Sequence, residues 1–191
     1  KSINEQFIKI YPCIKLFVDI LKEFDRRVFE EYRLQNNFTF HNIEHLALQL
    51  LCREEEGKIV VSDDGRELLD QFAEVMVDEY QDTNDLQDNL FYVLSNFEKK
   101  LFVVGDVKQS IYRFRLASPE LFMKLKDELP ISKGVPEKAS QIILEKNFRS
   151  RKGITQSINF VFSQLMTKDV GEIDYNENEF LYCGANYPEI D

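Results

Sequence analysis

Cysteine is scarce in this sequence, and the few cysteines form no metal-binding or disulfide pattern. There are three among 191 residues, Cys13, Cys52 and Cys183, and none belongs to a CxxC pair. Such a scattered, odd-numbered set disfavours a zinc site or a disulfide framework and fits a reducing compartment, so we expect a cytoplasmic protein. No apolar run approaches the roughly 18 residues that a membrane span needs, so we expect no membrane partner.

Basic residues are also in the minority, since the formal net charge is -10. Taken alone, this excess of acid argues against a nucleic-acid partner, because phosphates select basic faces. The charges are unevenly distributed, however. Residues 63 to 98 contain eleven acidic residues and one basic residue, whereas residues 99 to 126 contain seven basic and two acidic residues. This pattern fits two faces with different partners as well as it fits chance runs on a solvated surface.

The amino-terminal third has the residue spacing of helices. Apolar residues recur at intervals of three and four over residues 13 to 34, which predicts one long helix starting near Pro12. A second helix is predicted after Thr39, and it carries His41 and His45 four residues apart. Two histidines at this spacing can bind a metal, but no further Glu or His motif accompanies them, which disfavours a metal site. Residues 53 to 58 are charged and predict a break.

Three short apolar runs in the rest of the chain predict strands. They cover residues 75 to 77, 101 to 104 and 141 to 144, with helical spacing over residues 85 to 97 and 151 to 166. Strand, helix and strand in this order are typical of a parallel sheet that is covered by helices. Ligands of such sheets bind beyond the carboxyl ends of the strands, where Asp78, Glu79 and Asp106 follow here.

Two adjacent carboxylates follow the first predicted strand, in the segment DEYQDTN at residues 78 to 84. Nucleoside triphosphate hydrolysis needs a carboxylate that holds Mg²⁺ and a base or positioner for the attacking water. Asp78 suits the first role and Glu79 the second. Apolar strands that end in Asp-Glu are common, so this pair alone fits a solvated strand-end turn better than an active site.

Aromatic and basic residues alternate after the second strand, in GDVKQSIYRFR at residues 105 to 115. Aromatic faces stack on unpaired bases and arginines meet phosphates, so this segment is a candidate single-strand track. A surface loop with two core aromatics is an equal alternative. Past the third strand, Arg149 in NFRS could reach a phosphate across a cleft, or simply pair with a nearby carboxylate.

The order and spacing of these three motifs resemble the UvrD/Rep-like superfamily 1 DNA helicases, over most of residues 75 to 165. DEYQDTN resembles motif II of that family, GDVKQSIYRFR resembles motif III, and NFRS resembles motif IV. The resemblance implies an α/β fold with a partial RecA-like P-loop NTPase motor domain, in which helices flank a parallel sheet. Residues 1–70 would be a helical insertion, residues 71–135 the carboxyl-terminal part of the first motor domain, and residues 136–191 the start of a second.

The resemblance also implies roles for the matching residues. Glu79 would activate water, Gln109 would sense the γ-phosphate of ATP, and Arg149 would be an arginine finger, which makes these three the catalytic set. Asp78 would hold Mg²⁺. The residues that bind ATP and its metal would be Asp78, Gln81, Gln109 and Arg149. The residues that bind DNA would be Tyr112, Arg113, Phe114 and Arg115. Gln81 and Arg115 would also couple the two sites.

One family element is absent, namely the phosphate-binding loop GxxxxGK(S/T). The only Gly-Lys pair is Gly57-Lys58, which Ile59 follows, and no glycine stands five residues earlier. Because that loop holds the phosphates, we expect this chain to be a piece of a longer protein and inactive by itself. QSIYRFRLASPELF, at residues 109 to 122, is similar to the A subunits of AddAB-type helicase–nucleases, the AddA type. This similarity implies double-strand-break repair and recombination, and the implied partners are DNA and a B-type subunit.

Two other functions are compatible with these residues. A metal-dependent nuclease or phosphohydrolase would need two metal ions about 3.5–4 Å apart, held by a group of carboxylates. The carboxylates available to it are Asp78, Glu79, Asp82 and Asp106. A non-catalytic interaction module with a degenerate motor fold would retain the motifs without the chemistry.

Overall fold

The computed structural model describes residues 3–56, 58–132, 135, 138–171 and 173–188. The chain divides into two compact units, Lys1–Arg66 and Glu67–Asp191. Helix α3 (Asp63–Leu69) crosses the border between them. None of the helices in the described ranges is both long enough and apolar enough to cross a membrane.

The first unit consists of two helices and a hairpin. Helix α1 (Ile3–Gln35) begins before Pro12, so the predicted start at that residue was wrong. Helix α2 (Phe40–Leu51) begins where the sequence predicts, because the Thr39 side chain accepts a hydrogen bond from the backbone N–H of Asn42 and caps the first turn.

The predicted break at residues 53 to 58 was also wrong. Strands β1 (Cys52–Glu55) and β2 (Lys58–Val61) pair there as an antiparallel hairpin. Val61 at the end of β2 and Leu51 directly before β1 are buried, while the charged residues 53 to 56 are exposed. Exposed strands need no apolar alternation, and the charged composition therefore concealed the hairpin.

The second unit contains the predicted strand–helix–strand. Strand β3 (Val75–Val77) pairs in parallel with strand β4 (Leu101–Val103), and helix α4 (Asp85–Leu94) connects them. Met76 and Phe102 lie side by side in this register and are 69% and 54% exposed, so one face of the pair is open. The α/β class is therefore confirmed, whereas the fuller motor-domain architecture stays a prediction.

Short turns and a helix follow each strand end. A 3₁₀ turn (Tyr80–Asp82) follows β3, and two more (Val107–Gln109 and Arg113–Arg115) follow β4 before helix α5 (Pro119–Glu128). Tyr80 is buried, its ring lies 5.9 Å from that of Phe122 on α5, and its hydroxyl donates to Asp88 on α4. The Tyr80 side chain thus fastens both helices to the turn that follows β3.

The predicted strand at residues 141 to 144 is not formed. Gln141 makes a single bridge to Ile131, and its side-chain amide donates to the carbonyls of Lys126 and Leu129 at the end of α5. The apolar run is therefore held at the carboxyl end of a helix rather than beside β4.

The remaining elements form a small second layer. Strand β5 (Lys146–Asn147) pairs in parallel with strand β6 (Tyr182–Cys183). Between them run helix α6 (Lys152–Leu165), close to its predicted bounds, and the short helix α7 (Lys168–Gly171).

The start of α4 depends on a reciprocal cap. The Asn84 side chain accepts from the backbone N–H of Gln87, whose side chain accepts from the backbone N–H of Asn84. We expect Asn84→Ala to lower the free energy of unfolding by about 1 kcal/mol, because the backbone N–H of Gln87 loses its side-chain acceptor. Urea titration measures this. Asn84→Asp retains the acceptor and should stay near the original value, and equal losses in both variants would contradict the cap.

Candidate functional site

The carboxyl ends of β3 and β4 open onto a cavity of about 600 Å³. Most of its polar lining comes from three separate stretches of the chain, which are the end of β3, the loop after β4 and residues 145 to 149 in and around β5. The cavity is lined by four of the predicted site residues, Asp78, Glu79, Gln109 and Arg149. Much of its remaining wall is apolar, with Phe148, Phe162 and Leu181 among the lining residues. Residues that are far apart in sequence therefore converge on one concave site.

The two adjacent carboxylates are displayed by a sharp change in backbone direction. Asp78 and Glu79 are both exposed, and Glu79 has a left-handed backbone conformation with φ of 53°. The Asp78 carboxylate accepts from the backbone N–H of Glu79 at 2.9 Å. The backbone N–H of Tyr80 still donates to the Val104 carbonyl, so the turn stays anchored to the neighbouring chain. A left-handed non-glycine residue is a cost that the surrounding contacts must offset.

Gln81 lies behind the cavity and does not line it. Its side chain is only 1% exposed, and its amide NH₂ donates to Glu79 Oε2 at 2.7 Å. Its amide oxygen accepts from the backbone N–H of Asp106 at 2.9 Å. One buried amide thus sets the distance between the acidic turn after β3 and the loop after β4. The predicted contact of Gln81 with ATP stays a prediction.

The loop after β4 is organised around the Asp106 carboxylate. Asp106 accepts from the Gln109 side-chain amide at 3.0 Å and lies 2.8 Å from the Lys108 ammonium. Burial raises the pKa of Asp106, but these hydrogen bonds and the Lys108 charge outweigh it, and the net pKa is lowered. Asp106 therefore stays ionised and holds Gln109 at the edge of the cavity.

The sequence-based prediction missed two charged residues beside this loop, Glu179 and Lys126. Glu179, from the acidic segment before β6, pairs with Lys108 and Lys126, each at 2.9 Å. Burial disfavours charge on both Lys108 and Glu179. The hydrogen bonds of Lys108 to Asp106 and Glu179 nevertheless raise the pKa of Lys108, and those of Glu179 to Lys108 and Lys126 lower the pKa of Glu179. No local signal marks Glu179, since the partners are 71 residues apart.

The carboxylates suit a Mg²⁺ ion that is also bound by a substrate. They do not suit an ion whose ligands all come from the protein. In the part of the chain that the structure describes, no group of three or more His, Cys, Asp or Glu residues could hold a metal ion. Mg²⁺ at phosphate-transfer sites is commonly held by one or two carboxylates together with substrate phosphates, and Asp78 at the cavity edge suits that arrangement. The geometry gives no support to the two-metal nuclease hypothesis.

His41 and His45 form a close pair on α2, with their Nε2 atoms 3.0 Å apart. The described residues add no third ligand of the metal-binding types around them. The sequence-based expectation against a metal site there is unchanged.

The second 3₁₀ turn after β4 contains the predicted nucleic-acid-binding residues Arg113, Phe114 and Arg115. Tyr112 directly precedes it, and none of these four residues lines the cavity. Phe114 is 77% exposed, and its ring centroid lies 5.8 Å from that of Tyr112. The Arg115 guanidinium lies over both rings, at 5.2 Å and 5.5 Å, while Arg113 pairs with Glu120 at 2.7 Å. One exposed ring, one half-buried ring and two cationic groups thus form one aromatic–basic turn (residues 112 to 115), separate from the carboxylates that line the cavity.

Arg149 reaches the cavity from the segment after β5. The Asn147 side chain accepts from the backbone N–H groups of Arg149 and Ser150, at 3.0 Å and 2.9 Å. The backbone of Arg149 is thereby fixed, while its exposed side chain lines the same cavity as the acidic turn. A cation in that position suits an anionic ligand.

Comparison with known proteins identifies the relatives of this chain. Residues 12–130 match the UvrD/REP helicase N-terminal domain. The A-type subunit of the ATP-dependent helicase/nuclease of Clostridium acetobutylicum is 40% identical over the whole of this chain and 15% of the relative's length. The protein of the same name from Listeria welshimeri is 45% identical over 95% of this chain and 14% of the relative. The chain therefore spans about one seventh of the length of these relatives.

Gly105 leaves the space that the Gln81 amide occupies. A Cβ at Gly105 would lie 2.6 Å from the amide oxygen of Gln81 and 3.2 Å from the Phe122 ring. We expect Gly105→Ala to lower the free energy of unfolding by about 1–3 kcal/mol, because the buried amide must move. Denaturant unfolding measures the loss.

Gly153 in α6 provides the matched control, since a Cβ there would meet no atom within 4 Å. Gly153→Ala should raise the free energy of unfolding by about 0.5–1 kcal/mol, as expected for a glycine inside a helix. Equal effects of the two substitutions would refute the steric argument.

Proposed function

Because this chain belongs to the UvrD/Rep helicase family, we propose that it forms part of an ATP-driven DNA motor. The motor would couple ATP hydrolysis to translocation along single-stranded DNA and to duplex unwinding. The observation that carries this proposal is the convergence of Asp78, Glu79, Gln109 and Arg149 on one cavity beyond the strand ends. Parallel sheets bind their ligands at that edge.

The chemistry would be divided among the groups that face the cavity. Mg²⁺, held by Asp78, would neutralise charge on the ATP phosphates. Glu79 would orient and deprotonate the attacking water, while Arg149 would meet the γ-phosphate from the opposite wall. Gln109, which is hydrogen-bonded to Asp106, would sense that phosphate at the start of the loop that leads to the aromatic–basic turn.

The absence of the phosphate-binding loop from these 191 residues decides what activity we expect of them in isolation. We propose that residues 71–135 and 136–191 belong to two RecA-like motor domains and that residues 1–70 are a helical insertion. Without GxxxxGK(S/T), the 191 residues alone would not hydrolyse ATP, since the amides and lysine that hold the phosphates would have to come from elsewhere in the full-length protein.

The names of the relatives suggest the setting of the motor. We propose that the full-length protein is the AddA-type chain of a cytoplasmic helicase–nuclease that processes double-strand breaks for recombination, together with a B-type subunit. The relatives from Clostridium acetobutylicum and Listeria welshimeri support this proposal, since their similarity extends over 95% or more of the chain.

Glu79 should be indispensable for hydrolysis and dispensable for ATP binding. In the full-length protein, we expect Glu79→Gln to lower DNA-stimulated phosphate release by about 10²-fold or more, because the amide cannot take a proton from water. Binding of a fluorescent ATP analogue should be retained. Glu74→Gln, at another exposed acid close to the start of β3, is the control and should leave the rate unchanged. Normal turnover by Glu79→Gln would remove the assigned role.

Phe114 should contribute to DNA binding and not to hydrolysis in the absence of DNA. We expect Phe114→Ala to weaken binding of single-stranded oligonucleotides by about 1–3 kcal/mol for each base that loses its stacking partner. Fluorescence anisotropy with a labelled oligonucleotide measures the affinity. Ile111→Ala removes a similarly exposed apolar side chain, 70% exposed against 77%, from the same loop. If both variants bind like the unchanged protein, the aromatic–basic turn is not the DNA track.

A further inference from the structure

Glu179 joins two parts of the chain that both contribute lining residues to the cavity. Its two carboxylate oxygens are both engaged, one by Lys108 and the other by Lys126 on α5, at 2.9 Å each. Lys108 comes directly before Gln109, in the loop after β4. Glu179 comes shortly before β6, the strand that pairs with β5.

On one side, an unbroken series of polar contacts leads from this ion pair to Glu79. The Lys108 ammonium lies 2.8 Å from the Asp106 carboxylate. The backbone N–H of Asp106 donates to the amide oxygen of Gln81, and the amide NH₂ of Gln81 donates to Glu79. Moving Lys108 therefore disturbs the groups that set the position of the Glu79 carboxylate.

On the other side, the ion pair leads to Arg149. Tyr182 and Cys183 of β6 pair with Lys146 and Asn147 of β5. The Asn147 side chain in turn accepts from the backbone N–H of Arg149. The segment that carries Glu179 is also tied to α6, because the Asn159 side chain accepts from the Tyr175 hydroxyl and from the backbone N–H of Leu181. Hydrogen bonds among β5, β6 and α6 thus connect the backbone of Arg149 with the segment that carries Glu179.

The ion pair is shielded from water, which distinguishes it from most surface pairs. The side chains of Lys108 and Glu179 are each 17% exposed, whereas those of the Arg113–Glu120 pair are 54% and 61% exposed. Exposed pairs contribute little, while removing one partner of a shielded pair is costly. Loss of one partner of the Lys108–Glu179 pair should therefore disturb its surroundings more than loss of one partner of the Arg113–Glu120 pair.

We propose that Lys108 and Glu179 are positioning residues. They hold the segment that carries Arg149 in place relative to the turn that carries Glu79, so that both side chains face the nucleotide cavity together. The inference rests on the proposed function, because it assigns the pair to the reaction of the same site. With the pair intact, Glu79 as the general base and Arg149 as the arginine finger face the same phosphate of ATP. Without it, ATP still enters, but the two groups are no longer aligned for the transition state.

The test compares four variants of the full-length protein in DNA-stimulated ATP hydrolysis. We expect Lys108→Met and Glu179→Gln each to lower kcat about tenfold with KM for ATP nearly unchanged, because misplacement of a positioned group costs rate and not binding. The two substitutions together should be no worse than Lys108→Met alone, since that change already removes the contact with Glu179 together with the contact to Asp106. Lys108→Arg keeps the positive charge and should retain most of the kcat for ATP hydrolysis.

Lys126→Met is the matched control, because it removes the other ion pair of Glu179, of equal length, without touching Asp106 or Lys108. It should retain kcat within about twofold, as expected for a contact outside the series that ends at Glu79. Thermal melting of every variant separates misalignment from unfolding. Should Lys108→Met fail to fold, Glu179→Asp keeps the charge, shortens the side chain and should still lower kcat.

Three results would overturn the inference. The first is full kcat in Lys108→Met and Glu179→Gln, in a protein whose unchanged form is active. The second is an equal loss in Lys126→Met, which would reduce the pair to general structural support. The third is the absence of DNA-stimulated hydrolysis in the unchanged protein, which would remove the proposed function and this inference with it.

Discussion

The buried amide of Gln81 is the interaction on which the site depends. Its donor end holds the carboxylate of Glu79, and its acceptor end holds the backbone of Asp106. A buried amide must find partners at both ends, because water cannot replace them. The two loops that follow β3 and β4 are consequently locked at one separation. Gly105 belongs to the same arrangement, since any larger residue there would occupy the space of the amide oxygen.

Local charge matters more for this chain than its net charge of -10. The shielded ions next to the cavity are paired, since Asp106 and Glu179 are the partners of Lys108 and Glu179 is also the partner of Lys126. The exposed cations of the aromatic–basic turn lie apart from the acidic turn after β3, in a separate segment of the chain. An acidic protein can thus present a basic surface to nucleic acid without a basic composition.

Local patterns predicted the parts of the structure that depend on local forces. The apolar runs at β3 and β4, the spacing of α4 and the cap at Thr39 are each encoded within a few residues. The failures have non-local causes. The Gln141 side chain donates a hydrogen bond to the end of α5, 15 residues away in the sequence. The hairpin of β1 and β2 has a charged composition because its tip is exposed.

The same distinction applies to the candidate site. Motif order indicated which of the residues would converge, but the partner of Lys108 was hidden in a segment with no regular pattern. An ion pair between residues 71 positions apart leaves no periodicity to detect. Only the three-dimensional arrangement, in which β6 returns beside β5, brings Glu179 to the loop after β4.

The left-handed backbone of Glu79 sets stability against activity at a single position. Glycine or asparagine would adopt φ of 53° more easily than glutamate does. A search for more stable variants would therefore favour replacing Glu79, and each such gain would remove the carboxylate assigned to the attacking water. Selection for a thermally robust form of this protein should accordingly exclude this residue from mutation.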